Sequence, residues 1–367
     1  MSAHRSRSAF RPALPLLALL LVASSALALG AGSEPPATDG DGGFDVAALD
    51  AMKSLPGGLA PTKPVVEPAD NPSTPAKVEL GRKLFFDTNL SGDRSMSCGS
   101  CHDPAQGYAD ARPRAQGFKG KELRRHTPTV LNAALFEPQF WDGRAQGLEA
   151  QAKGPLLSPD EMNLAGAGEA EARLRESRDY RRRFQDVFGT EPSLENAARA
   201  IAAYERTLVL GPTRFDRYAA GDKTALGEAE KRGLLVFVGK ANCSACHSGA
   251  NFADGKFHSL GIPAHDPAVV DEGRFAVTQD PADRAAFKTP TLRGLAYTAP
   301  YMHDGSLATL EEVVDYYDHG GGDGPNKSKL VFELGLTPQE KSDLVEFLVS
   351  LSGPLPPDAT RKLPKQR

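Results

Sequence analysis

The residues with the most chemical content are four cysteines in two short strings, Cys98-Gly-Ser-Cys101-His102 and Cys243-Ser-Ala-Cys246-His247. Each is a C-x-x-C-H, the pattern for covalent haem attachment. Two thiols add to the haem vinyl groups and the adjoining imidazole reaches the iron as proximal ligand. A single match could be a redox dithiol, a zinc site or half of a disulfide framework. Two matches, each with its histidine, use every cysteine in the chain. The arithmetic favours two covalently bound haem c groups over zinc or disulfides.

Such groups need walls, and the sequence repeats the walls. An apolar helix with a glycine four residues ahead of an aromatic precedes each motif: Gly81 and Phe85 in KVELGRKLFF, Gly233 and Phe237 in EKRGLLVFVG. After each motif comes Thr-Pro-Thr, at 127–129 and at 289–291, and from there a fixed offset of 162 holds. It lays Trp141-Asp142-Gly143-Arg144 over His303-Asp304-Gly305-Ser306 and Leu148-Glu149 over Leu310-Glu311. An internal duplication explains several matches in one register. Helix signals dominate: Thr309-Leu-Glu-Glu312 reads as a capping box stopped by Gly320–Gly322. Thr337-Pro-Gln-Glu340 starts another helix with an apolar stripe of Leu344, Phe347, Leu348 and Leu351. No segment alternates well enough for a sheet. The expected fold is all-α, two tandem cytochrome c-like helical haem domains with long irregular loops.

The chain has 367 residues, 25% of them charged, with a net charge of −4, so no basic field points to nucleic acid. Arg5, Arg7 and Arg11 precede an uncharged apolar run, Ala13 to Leu29, and then small residues. This is the pattern of a cleaved secretory signal, and the run is short for a membrane span. The expected organisation is a signal peptide at 1–30, a flexible Gly/Pro/Asp-rich arm at 31–75, one haem domain at 76–215 and a second at 216–367. No later segment is long and apolar enough to span a membrane, and the expected location is the periplasm.

Function turns on the sixth iron ligand: a haem with two protein ligands transfers electrons, whereas an open one binds peroxide or oxygen. Near the second haem, Leu310, Val313, Val314 and Tyr317 share a helical stripe, and Tyr316 is turned about 100° away. Met302, 55 residues after His247, competes equally with Tyr317 on periodicity alone. The offset lays Pro155 over Tyr317, and proline cannot ligate iron, so the first haem lacks the corresponding ligand. Its nearby polar groups are Gln151 and Glu161; a carboxylate there can carry protons between peroxide oxygens. Trp141, the only tryptophan, is either packing or a stepping stone for an electron between the haems.

Seven strings in order, SCGSCH, TPTVLNAALFEPQFWDGRA, LEAQAKGPL, Glu161-Met162, NCSACHSG, FKTPTLRG and TAPYMHDGSLATLEEVV, resemble the bacterial dihaem cytochrome c peroxidases and MauG. The resemblance runs from about Val78 to Leu351. It implies a peroxidatic N-terminal haem with His102 proximal and Gln151 and Glu161 in the distal pocket. Trp141 then lies between the haems, and an electron-transfer haem has His247 proximal. It also implies a calcium ion held partly by carbonyls of Thr298 and Pro300, although the family's calcium-binding asparagine is replaced by His126, a poor ligand for a hard cation. Ordinary members ligate the second haem with methionine at the position of Tyr317, whereas MauG has tyrosine. They also carry a loop histidine, here Phe118, that blocks the first haem until the second is reduced.

These readings imply an oxidoreductase that uses hydrogen peroxide and stores two oxidising equivalents across both haems. Its partner is a small redox protein, cytochrome c or cupredoxin, or an oxidisable protein substrate. The alternatives are an ordinary peroxidase detoxifying peroxide and a non-enzymatic dihaem electron carrier.

Overall fold

A computed structural model describes residues 64–263 and 270–357. The signal peptide and most of the N-terminal arm lie outside the described residues. Among the described residues, eight helices have nine residues or more. They are α1 (Pro75–Phe85), α2 (Gly147–Leu157), α3 (Ala167–Glu176), α4 (Arg178–Phe188), α5 (Leu194–Glu205), α6 (Glu228–Val238), α7 (Leu310–Asp318) and α8 (Pro338–Ser350).

Each half is built on one helix crossing. In the first half α1 packs on α5, with the ideal Cβ direction of Gly81 running into the Ala200 carbonyl oxygen at 1.8 Å and the Tyr204 Cβ at 3.0 Å. In the second, α6 packs on α8, with Gly233 against the Asp343 carbonyl oxygen at 1.9 Å and the Phe347 Cβ at 2.8 Å. Only a residue without a Cβ lets the backbones approach so closely. Gly81 and Gly233, Ala200 and Asp343, and Tyr204 and Phe347 are therefore structural counterparts. Around each crossing lies a separate apolar core. One holds Leu80, Phe85, Leu156, Phe184 and Ile201, and the other Phe215, Phe237, Phe252, Leu344 and Phe347.

The 162-residue register survives in the hydrogen bonds. Thr129 Oγ1 donates to the Gly107 carbonyl and accepts from the Leu131 N–H; Thr291 Oγ1 donates to the Asn251 carbonyl and accepts from the Arg293 N–H. Gln139 pairs with Ala145, and Tyr301 with Leu307, across the two WDGR-type turns. The first of these is a ribbon, β1 (Pro138–Gln139) with β2 (Ala145–Gln146); a second joins β3 (Phe257–His258) to β4 (Phe287–Lys288). Strands of two residues carry no alternation for a sequence reading to detect.

Local signals held with adjustments. Thr337 and Glu340 form a reciprocal capping box. Thr309 caps α7 through the Glu312 N–H, but the Glu312 carboxylate reaches back to the Ala308 N–H, so the expected box is only half made. The last residues of the N-terminal arm are pinned rather than loose. Asn71 is 1% exposed, donating to Glu149 Oε1 at 2.7 Å and accepting from Lys77 Nζ at 2.9 Å. The C-terminal end crosses back to the first half, where the Gly211 N–H meets the Pro354 carbonyl at 3.0 Å.

Candidate functional site

Both C-x-x-C-H strings begin short helical turns, Cys98–Cys101 and Cys243–Ala245, and all four thiols are unpaired. His102 Nδ1 donates to the Tyr108 carbonyl at 3.0 Å, and His247 Nδ1 to the Phe252 carbonyl at 2.9 Å. That bond fixes each tautomer and leaves Nε2 as a lone-pair donor, the arrangement of a metal-ligating imidazole. Burial lowers both imidazole pKa values, so the rings are neutral and able to ligate. Burial also pushes the Cys101 thiol up to about 11 and Cys243 to about 12. Cys246, Asp254 and His258 do converge within 4.8 Å, the one such group among the described residues, but Cys246 belongs to the second haem motif.

Both motifs open into one largely apolar cavity of about 1160 Å³, whose lining falls into residues of the first half, around Cys98 to His102, and residues of the second half, around Cys243 to His247; these two sets of wall residues are the first and second arms. Cysteine pairs, oriented histidines and an apolar hollow together fit two covalently attached haems. Gln151, Pro155 and Glu161 line the first arm, and Met302, Val313 and Tyr317 the second. Pro155 lies inside α2, where it leaves the Gln151 carbonyl without its helical N–H donor. Burial raises the Glu161 pKa, with the Arg144 charge and a hydrogen bond with Ser158 pulling against it. Phe118 is off the cavity wall; its N–H binds the Asp160 carbonyl at 2.9 Å, tying that loop to the Glu161 segment.

Tyr317 faces the cavity while Tyr316 turns away to donate to the Leu260 carbonyl at 3.0 Å. Burial raises the Tyr317 phenol pKa, with further increments from Cys243 and Cys246. Met302 shares the wall from a loop position with φ of 74°. Both residues that the sequence singled out as rival ligands therefore border the second arm.

The contact between the halves is pseudo-symmetric, which periodicity alone did not disclose. The His126 N–H binds the His303 carbonyl at 2.8 Å, and the Lys288 N–H binds the Trp141 carbonyl at 2.8 Å. Under the 162 offset these are the same bond made twice. The Trp141 and His303 rings, also counterparts, meet edge to face at 6.5 Å, and His303 stacks on Phe287 at 3.7 Å. The indole N–H donates to the His126 carbonyl at 2.9 Å. Arg125, over Phe287, bridges Asp142 and Asp271 at 2.7 Å each. The pairing Arg125–Asp271 spans 146 positions, and no local pattern marks it. Arg293 is equally hidden: 1% exposed, it holds Asp216 through two bonds of 2.8 and 2.9 Å.

Thr298 and Pro300 border the same cavity. His126 commits Nδ1–H to the Arg112 carbonyl at 2.7 Å and offers no side-chain oxygen to a cation.

The architecture is that of a tandem cytochrome c-type protein. Residues 75–224 match the family of di-haem cytochrome c peroxidases that includes MauG, and residues 231–352 match cytochrome c. The cytochrome-c peroxidase IdrP1 of Pseudomonas sp. (strain SCT) is 41% identical over 371 positions, covering 92% of each chain. The methylamine utilization protein MauG of Methylorubrum extorquens is 44% identical over 309 positions, covering 84% of this chain and 85% of that one. The crystal structure of a MauG-like protein associated with microbial copper homeostasis superposes with a TM-score of 0.72 at 35% identity, covering 82% of this chain and 95% of that one. This chain belongs to the dihaem cytochrome c peroxidase/MauG family, and is a haem c oxidoreductase. No helix among the described residues is long and apolar enough to cross a membrane.

Proposed function

We propose that this protein is a peroxide-driven dihaem oxidase of the MauG kind, acting in the periplasm after removal of its leader. Cys98, Cys101 and His102 hold the first haem, and Cys243, Cys246 and His247 the second. The haems supply peroxide cleavage at the first site and storage of oxidising equivalents at both. The observation that carries the subtype is the pair Pro155 and Tyr317: counterparts under the duplication, both on the cavity wall, one unable to ligate and the other a phenol.

The chain's own groups then have separable tasks. Glu161, its proton affinity raised by burial, takes a proton from one peroxide oxygen and returns it to the other. Gln151 orients peroxide beside it. Tyr317 would hold the second haem iron; an anionic phenolate there would neutralise ferric charge and lower the potential relative to methionine. Met302 is a neighbour rather than a ligand. Trp141, wedged between the halves by the His126 carbonyl and the His303 ring, links the two sites electronically. Phe118 leaves the first site without a blocking imidazole. A cation at Thr298 and Pro300 is not part of this reading, because His126 is engaged elsewhere.

The same family contains proteins named cytochrome c551 peroxidase, one from Nitrosomonas europaea at 37% identity, so ordinary peroxide removal with electrons from a cytochrome or cupredoxin is the second reading. A Tyr317→Phe variant separates the two. Its second-haem absorption and electron paramagnetic resonance signals change, and the two-site oxidised state no longer persists. Unchanged spectra in that variant rule out ligation by Tyr317.

A further inference from the structure

Glu205 is the last residue of α5 and only 5% exposed. Its Oε2 is buried without a hydrogen-bond partner, and so is Nη1 of the adjoining Arg206. The side chain lines the first arm of the cavity, together with Cys98, Leu148 and Ala152. A lone carboxyl in an apolar wall costs folding energy that packing does not demand.

The duplication shows how little packing demands it. Tyr204 and Phe347 are counterparts at the two helix crossings, so Glu205 corresponds to Leu348 and Ile201 to Leu344. All four line the cavity. The second arm is closed by leucine where the first carries an acid.

We propose that Glu205 is a positioning residue of the first haem site: it gives up a proton when an electron leaves the site and takes one up when an electron returns. This rests on the haem-binding reading of Cys98 and His102. The acid and its conjugate base are the only protein species needed, the proton passing to solvent and the electron to a redox protein or, in the titration, to the electrode. Burial raises the Glu205 pKa to about 8, partly offset by Arg206 and reinforced by the Glu149 charge. The charged and titratable groups around it are Arg206 on its own helix segment, Glu149 from α2, which accepts from Arg206, and Cys98 from the haem-binding turn. Near neutral pH the carboxyl is therefore protonated while the site is reduced, and its Oε2 has no hydrogen-bond partner to hold the charge when it ionises. Positive charge gained by oxidation lowers its pKa and releases the proton.

The experiment is a spectroelectrochemical titration of the dihaem protein from pH 6 to 10, with infrared difference spectra of oxidised minus reduced protein. The parent is expected to show one haem whose potential falls as pH rises toward about 8 and levels off above it, each pH unit within that window changing the ferric-to-ferrous ratio up to tenfold at fixed potential. A carboxylic C=O band should accompany it. Glu205→Gln loses both the slope and the band. Glu205→Leu, carrying the residue of the other arm, provides the same test if the amide does not assemble. A flat parent profile, or a slope and band that persist in either variant, overturns the proposal. Failure of the MauG-like reading has a different sign, silence of the diferric protein toward peroxide, and leaves this titration interpretable.

Discussion

Replacing Glu161 by glutamine keeps the side chain's size and its bond with Ser158 but removes its capacity to exchange a proton. The carboxyl is half-buried on the first arm of the cavity, and its pKa lies above the ordinary 4.5 because desolvation outweighs Arg144 and Ser158. A positioned acid–base group contributes about 10²-fold or more, so the variant should cleave peroxide at least about 10²-fold more slowly, about 2.7 kcal/mol in barrier. The pH profile supplies a second signature. Glu161 must start ionised to accept the peroxide proton, so the parent rate rises with pH through the raised pKa and levels off above it. The glutamine variant lacks that limb. Stopped-flow absorption at varied peroxide and pH reads both quantities. A rate within about threefold of the parent, with the limb intact, refutes the assignment and returns Glu161 to a structural role.

Trp141→Phe should leave peroxide binding unchanged while slowing the spectral response of the second site, because it removes the indole that joins His126 to the His303 ring; equal rates at both sites would remove Trp141 from the route. Gly233→Ala forces a Cβ to within 1.9 Å of the Asp343 carbonyl, so the α6–α8 crossing must open. A loss of about 1–3 kcal/mol in apparent stability by urea unfolding is expected, and an unchanged midpoint would mean the crossing is more plastic than its geometry implies. Arg293→Met removes the two-bond partner of buried Asp216 and should destabilise the second half by about 3 kcal/mol or more, because it leaves the carboxylate charge uncompensated; a loss below about 1 kcal/mol in the same assay would show the pair to be dispensable.

The parts of this architecture visible in the sequence are those written in short strings. The C-x-x-C-H turns, Gly81 and Gly233, and the Thr-Pro-Thr segments each state a local requirement, and a constant offset lined up everything from Trp141 to Tyr317. Helical periodicity set Tyr317 apart from Tyr316, and in the fold Tyr317 lines the cavity while Tyr316 bonds the Leu260 carbonyl. What escaped was written across distance. Arg125 with Asp271, Arg293 with Asp216, and the doubled backbone bonds of His126 and Lys288 depend on two halves meeting, and neither member of a pair differs locally from a solvated residue. Glu205 was invisible for another reason: at the end of an amphipathic helix an acid ordinarily faces water, and only the counterpart Leu348 exposes the anomaly. The two-residue ribbons and the anchoring of Asn71 fell below the length at which pattern carries information.

An open first site beside a tyrosine-ligated second one is tested directly by mixing the fully oxidised protein with stoichiometric hydrogen peroxide in a stopped-flow spectrometer. A fast absorption change is expected in the diferric state, before any electron is supplied. No reaction until one electron has been added would contradict it. The protein would then be a gated peroxidase, with the first site closed at rest despite Phe118 and the second not held by Tyr317.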